Sequence, residues 1–170
     1  MRILFSFGLT GLMAAPALAA DMEISIEVPK LDVAEYHKPY VAVWLEGPDK
    51  KVAANLAVWY DIANPKKEGD KWLKDLRQWW RRAGRELKVP ADGLTSATRA
   101  PGGHTVKFDG TSAALKDLSA GQYELVVEAA REVGGREVLR IPLQWPPKEG
   151  TALSAKGEHE LGSVAVNVKP

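Results

Sequence analysis

The chain has 170 residues, 45% of them hydrophobic, with 23 Lys+Arg against 22 Asp+Glu, 6 Trp and no Cys. That length suits a single domain, and the balanced charge lacks the basic excess of a nucleic-acid binder. Without Cys, thiol catalysis, disulfide staples, iron–sulfur clusters and cysteine zinc sites are all excluded.

Met1-Arg2 is a short basic start, followed by an apolar stretch from Ile3 to Leu18 that ends in Ala17-Leu18-Ala19. This three-part pattern predicts a secretory signal peptide over residues 1–20, cleaved near Ala19 or Ala20. A single-pass anchor is the competing reading. It needs about 20 apolar residues and would not carry Pro16 ahead of a cleavage pattern. The signal looks bacterial, so residues 21–170 are expected to be one soluble periplasmic domain. Cleavage removes Arg2 and no acid, which leaves equal numbers of basic and acidic residues.

The mature chain opens with alternation: Ile24, Ile26 and Val28 on one side, Glu23, Ser25 and Glu27 on the other. That is the pattern of a half-buried strand. Tyr40 to Leu45 and Val52 to Tyr60 flank Gly47-Pro48-Asp49-Lys50 and read as an antiparallel hairpin. From Asp70 to Ala83 the period changes to that of a helix, with Trp72, Leu73, Leu76, Trp79, Trp80 and Ala83 on one face. Asp70 is the expected N-cap and Gly84 the expected stop. Lys71, Lys74, Arg77, Arg81 and Arg82 make the other face basic. Such a helix can lie on a membrane, but packing of its Trp face on a sheet is the favoured reading. Lys88 to Gly103 reads as a loop. Short strands follow at Thr105–Phe108, at Tyr123–Glu128 with a return from Val138 to Leu143 around Gly134-Gly135, and at Val164–Val168. Glu124 and Glu128, with Glu132 beyond them, are expected on a solvated face. The whole predicts a mainly β fold, an antiparallel β-sandwich of immunoglobulin-like type with one amphipathic helix.

Most catalytic signatures are missing. His37, His104 and His159 are scattered without metal-ligand spacing. There is no Gly-x-Ser-x-Gly elbow, no Gly-x-Gly-x-x-Gly and no phosphate loop. No constellation for an enzyme acting on its own small substrate is present.

One string in the loop carries chemistry: Asp92-Gly93-Leu94-Thr95-Ser96-Ala97-Thr98. It resembles the acceptor motif of flavin-transferase substrates, Asp-x-x-Ser/Thr-Gly/Ser-Ala-Ser/Thr. Asp92, Thr95, Ser96, Ala97 and Thr98 fill its five defined positions, with Ser96 where Gly is usual. The resemblance implies that a periplasmic flavin transferase moves FMN from FAD onto Thr98 and leaves a phosphoester. A hydroxyl nucleophile suits that chemistry, and Thr95 and Ser96 are nearby alternatives. Arg99 is placed to pair with a phosphate on Thr98. Trp72, Trp79 and Trp80 are candidates to stack on the ring, although core packing is the commoner fate of such residues. A turn-forming polar loop is the competing reading of the string.

A wider resemblance covers most of the mature chain. The blocks Lys38–Glu46, Lys71–Trp80, Ala97–Gly102 and Tyr123–Glu132 resemble a family of small predicted periplasmic proteins known as a domain of unknown function, DUF2271. That resemblance implies association with flavin transferases and PepSY-type membrane redox proteins, hence electron transfer, with iron uptake as one setting. The expectation is a periplasmic electron carrier with covalent FMN on Thr98. A cofactor-free binding module of β-sandwich fold is the alternative.

Overall fold

The computed structural model describes residues 20–66 and 68–170. The expected signal peptide and its cleavage point lie outside the described residues, Ala20 excepted. Nine strands are present among them: β1 (Asp21–Val28), β2 (Tyr40–Glu46), β3 (Val52–Tyr60), β4 (Thr95–Ala97), β5 (Gly102–Phe108), β6 (Gly121–Ala130), β7 (Arg136–Trp145), β8 (Thr151–Lys156) and β9 (Ser163–Lys169). They form a four-stranded sheet in the order β5-β1-β9-β8 and a five-stranded sheet in the order β4-β3-β2-β6-β7. The fold is mainly β.

The two sheets share one core. Met22, Ile24, Ile26 and Val28 of β1 and Val164, Val166 and Val168 of β9 meet Val41, Val43 and Leu45 of β2 and Leu125, Val127 and Ala129 of β6. The alternation seen in β1 and β9 follows from having one covered face. In β2 the apolar run is continuous because both faces are covered. Ala42 and Trp44 point the other way, into a second cluster with Leu73, Leu76 and Trp79.

That second cluster is built by a helical segment, as expected, but not by one continuous helix. α1 (Gly69–Trp72) runs into a 3₁₀ turn at Leu73–Asp75, and α2 (Arg77–Arg82) starts afresh before a second turn at Gly84–Glu86. Asp70 therefore lies inside α1 and is not its N-cap; the capping position is Glu68, whose side chain makes no cap bond. The break falls at Leu76, whose ψ of 68° is not helical. Glu128 accounts for it. Its carboxylate accepts the N–H groups of Gln78 at 3.0 and 3.1 Å and of Trp79 at 2.7 Å, and is paired with Arg136 at 2.6 Å. The side chain is fully buried. The solvated face expected for Glu128 is thus corrected: it faces the helical layer and anchors it to the sheet. Glu124 and the buried Glu46 are likewise engaged, both by Arg140, with Lys50 on Glu124 and Arg82 on Glu46.

The stretch read as a loop contains two pieces of sheet. β5 begins at Gly102, and β4 pairs with β3 in parallel, Val58 opposite Thr95 and Tyr60 opposite Ala97. The remaining pairings are antiparallel. A parallel neighbour requires a crossover connection, and the helical segment between β3 and β4 supplies it. This topology brings the end of β4 beside the end of β3.

Candidate functional site

The sequence motif lies at that junction. Its turn is closed by the Leu94 and Thr95 N–H groups donating to the Ala91 carbonyl at 3.2 and 2.9 Å. Gly93 takes a φ of +73° there, a conformation glycine adopts without steric cost. Asp92 is exposed on this turn. The three hydroxyls differ sharply. Thr95 Oγ1 accepts from the Ala91 N–H at 2.9 Å and donates back to the Ala91 carbonyl at 3.0 Å. Ser96 Oγ accepts from Arg99 Nη2 at 3.3 Å. Thr98 is held by its backbone, through its N–H to the Tyr60 carbonyl at 3.2 Å, and the residue lines a cleft. Ala97 is exposed beside it. Arg99 turns away from the cleft, its guanidinium 5.3 Å from the centre of the Trp59 ring.

The cleft has a volume of about 940 Å³ and crosses one end of the five-stranded sheet. One wall is the segment before β2, with Tyr36, His37 and Lys38; another is the β6–β7 turn from Ala130 to Arg136. Trp72, Asp75 and Arg77 come from the helical segment, and Tyr40 and Asp61 from the strand ends. Both polar and apolar groups are therefore offered to an occupant, as in small-molecule sites generally.

The β6–β7 wall is rigidly braced. Arg131 and Glu160, whose side chains are 6% and 5% exposed, are joined by two bonds at 2.9 and 3.1 Å. The Gly135 N–H donates to the same carboxylate at 2.7 Å. The Tyr36 ring lies 6.0 Å from the Arg131 guanidinium. Behind this pair, Glu137 accepts four backbone N–H groups, from Glu158, His159, Glu160 and Leu161, at 2.7–3.1 Å. Burial opposes its ionisation, but those four donors outweigh it and hold its pKa below the ordinary value. Burial raises the phenols of Tyr36 and Tyr40, and that of Tyr60, under the cleft, is pushed up to about 12 by burial and then by Asp70. All three are neutral at physiological pH. Tyr40 donates to the Gly69 carbonyl at 3.3 Å.

The three tryptophans on the helical face part company. Trp79 is fully buried, its Nε1–H donating to Asn55 at 2.9 Å. Trp80 is half-buried and lines a separate basic hollow with Lys74, Arg77, Arg81 and Arg85. Trp72, expected on the core face, is 48% exposed and lines the cleft that Thr98 lines. The histidines stay apart: His37 contacts Glu35 at 2.8 Å, and His104 packs edge-on to Trp59. Among the described residues no group of three or more His, Cys, Asp or Glu is arranged to hold a metal ion, and no helix is long and apolar enough to cross a membrane.

The sequence model of a family described as "Predicted periplasmic protein (DUF2271)" matches residues 21–163. The chain belongs to this family. The match begins with β1 and reaches the first residue of β9, so it takes in Thr98 and every wall of the cleft. No curated protein and no solved structure matches the chain. The DUF2271 description names a compartment and no activity.

The motif string is the part of the site that the sequence carries openly. The Arg131–Glu160 pair, Tyr36 and Val133 had no such signal, beyond an apolar Val placed among charged and Gly residues in a hairpin turn.

Proposed function

We propose that this DUF2271 protein is a periplasmic electron carrier with FMN joined by a phosphoester to Thr98, serving a PepSY-type membrane redox or iron-uptake system. One observation carries the reading: of the three hydroxyl-bearing residues in the motif, Thr95 is tied back to Ala91, Ser96 is engaged by Arg99, and Thr98 alone lines the cleft. No hydrogen bond engages the Thr98 hydroxyl among the described residues, so it stands ready as a nucleophile. In the transfer, Thr98 Oγ1 bonds to the FMN phosphorus of FAD as the pyrophosphate bond breaks. AMP leaves, and the hydroxyl proton passes to a base of the flavin transferase.

Once attached, FMN supplies reversible uptake and release of electrons. This chain's residues bind and orient it. Asp92 and the Gly93 turn present the acceptor strand to the transferase, and Ala97 leaves the approach to Thr98 uncrowded. Arg99, with its guanidinium over the Trp59 ring and bonded to Ser96, fixes the backbone next to the nucleophile. The scaffold in this reading is a β-sandwich of immunoglobulin-like type.

The test is the intact mass of protein from periplasm co-expressing a flavin transferase, with Thr98→Ala beside it. The proposal expects a gain equal to FMN minus water that the variant lacks. No adduct, with the transferase active on another acceptor, leaves the cofactor-free binding module in its place.

A further inference from the structure

Four large hydrophobic side chains stand exposed among the described residues: Val33, Ile62, Trp72 and Val133. Two of them, Trp72 at 48% and Val133 at 72%, line the same cleft. Exposed apolar groups scattered singly need no explanation, but convergence on one concavity marks a binding surface. Val133 is held at a φ of +52°. For a β-branched residue that backbone is strained, and strain of this kind persists where the surrounding structure imposes it, often at ligand clamps.

The end of the cleft formed by Tyr36 and Arg131 has a second character. Tyr36 Oη and Arg131 Nη1 are buried there with no hydrogen-bond partner among the described residues. Both are donors, and buried donors of this sort are normally satisfied. Both atoms are out of reach of solvent, so they shape this end of the cleft and are not presented to an occupant. The exposed Trp72 indole and Val133 side chain in this cleft suit a flat aromatic ring.

The dimensions agree. Thr98 follows β4 and Arg131 follows β6, three strand spacings apart in the sheet order. At about 4.8 Å per spacing this is roughly 14 Å. A phosphate on Thr98, a ribityl chain and a tricyclic ring bridge a comparable length.

We infer that this cleft is the seat of a flavin ring, with Trp72 as its stacking face and Val133 as a second apolar contact. The inference deepens the flavin reading above and takes its ligand class from it. Trp72 and Val133 act here as positioning residues.

The test is flavin fluorescence, because a ring stacked on an indole is quenched. In the flavinylated protein, emission is expected severalfold below that of free FMN and restored by Trp72→Ala. Trp72 is half exposed, so this variant leaves the core intact. Val133→Asn, a residue better tolerated at positive φ, is a second variant that removes the apolar wall without adding strain, and it too raises emission. Titration of Thr98→Ala with free FMN separates the seat from the bond. Quenching there that Trp72→Ala abolishes upholds the seat even if no covalent adduct forms. An adduct as bright as free FMN and indifferent to Trp72→Ala overturns the seat and leaves the covalent reading standing. Neither adduct nor quenching overturns both.

Discussion

Replacing Glu128 by Ala should release the helical layer from the sheet. The carboxylate is fully buried and serves three partners: the N–H groups of Gln78 and Trp79, and the Arg136 guanidinium at 2.6 Å. Arg136 is 35% exposed and can turn to water. The Trp79 N–H cannot, because it lies beneath the segment. Arg136 therefore escapes the penalty of a buried unpaired charge, and the loss is that of the stranded amides, at about 1–3 kcal/mol for each buried donor, or about 2–4 kcal/mol together. For a domain of this size each kcal/mol lowers the midpoint by about 2–4 °C, so Glu128→Ala should melt roughly 10 °C below the parent. Glu128→Gln keeps the shape and one acceptor oxygen but loses the charge, and should cost about 1.5–3 kcal/mol. Urea unfolding followed by tryptophan emission gives the loss as a shift in midpoint at constant slope. Hydrogen exchange locates it, because the Gln78 and Trp79 amides should lose protection first. A Glu128→Ala loss below about 1 kcal/mol, the scale of an ordinary hydrogen bond, would refute the reasoning.

Three further outcomes are expected. Glu137 has a folded pKa below its ordinary value of 4.5, so its contribution is present above that value and lost as the pH falls through the lower folded one. Unfolding free energy measured across this acid range should fall less steeply in Glu137→Gln than in the parent, and equal slopes would remove Glu137 from the account. Gly69→Ala places a Cβ 2.1 Å from the Asp61 carbonyl oxygen; overpacking of this sort costs about 1–3 kcal/mol, readable in a thermal melt, and an unchanged midpoint would show that the loop yields freely. Trp79→Ala empties the centre of the second core cluster and should cost about 3–5 kcal/mol, whereas Trp72→Ala, at an exposed position, should change stability little.

Where one covered face set the pattern, the sequence was readable. Ile24, Ile26 and Val28 in β1 and Val164, Val166 and Val168 in β9 alternate because the opposite faces of those strands are less buried. The β2–β3 and β6–β7 hairpins were marked by their turn residues, Gly47-Pro48-Asp49-Lys50 and Gly134-Gly135. Elements fixed by distant partners were not legible. The break at Leu76 is imposed by a carboxylate 50 residues away in sequence from Gln78, and nothing between Asp70 and Ala83 announces it. Trp72, ahead of that break, is exposed and not on the core face. β4 is three residues long and pairs in parallel, so it carries neither period nor turn signal. Thr98 was visible as part of a local string. The cleft it lines was not, because its walls come from the segment before β2, the end of β3, the helical segment and the β6–β7 turn.

The central claim is that Thr98, and no other hydroxyl of the motif, carries the flavin. Trypsin cleaves after Lys88 and Arg99, so the peptide spanning 89–99 contains Thr95, Ser96 and Thr98 together. Tandem mass spectrometry of that peptide, from protein made with an active flavin transferase, reads the position directly. The account predicts fragments that place FMN on Thr98 with Thr95 and Ser96 unmodified. A peptide without FMN, or with FMN on Thr95 or Ser96, would contradict it.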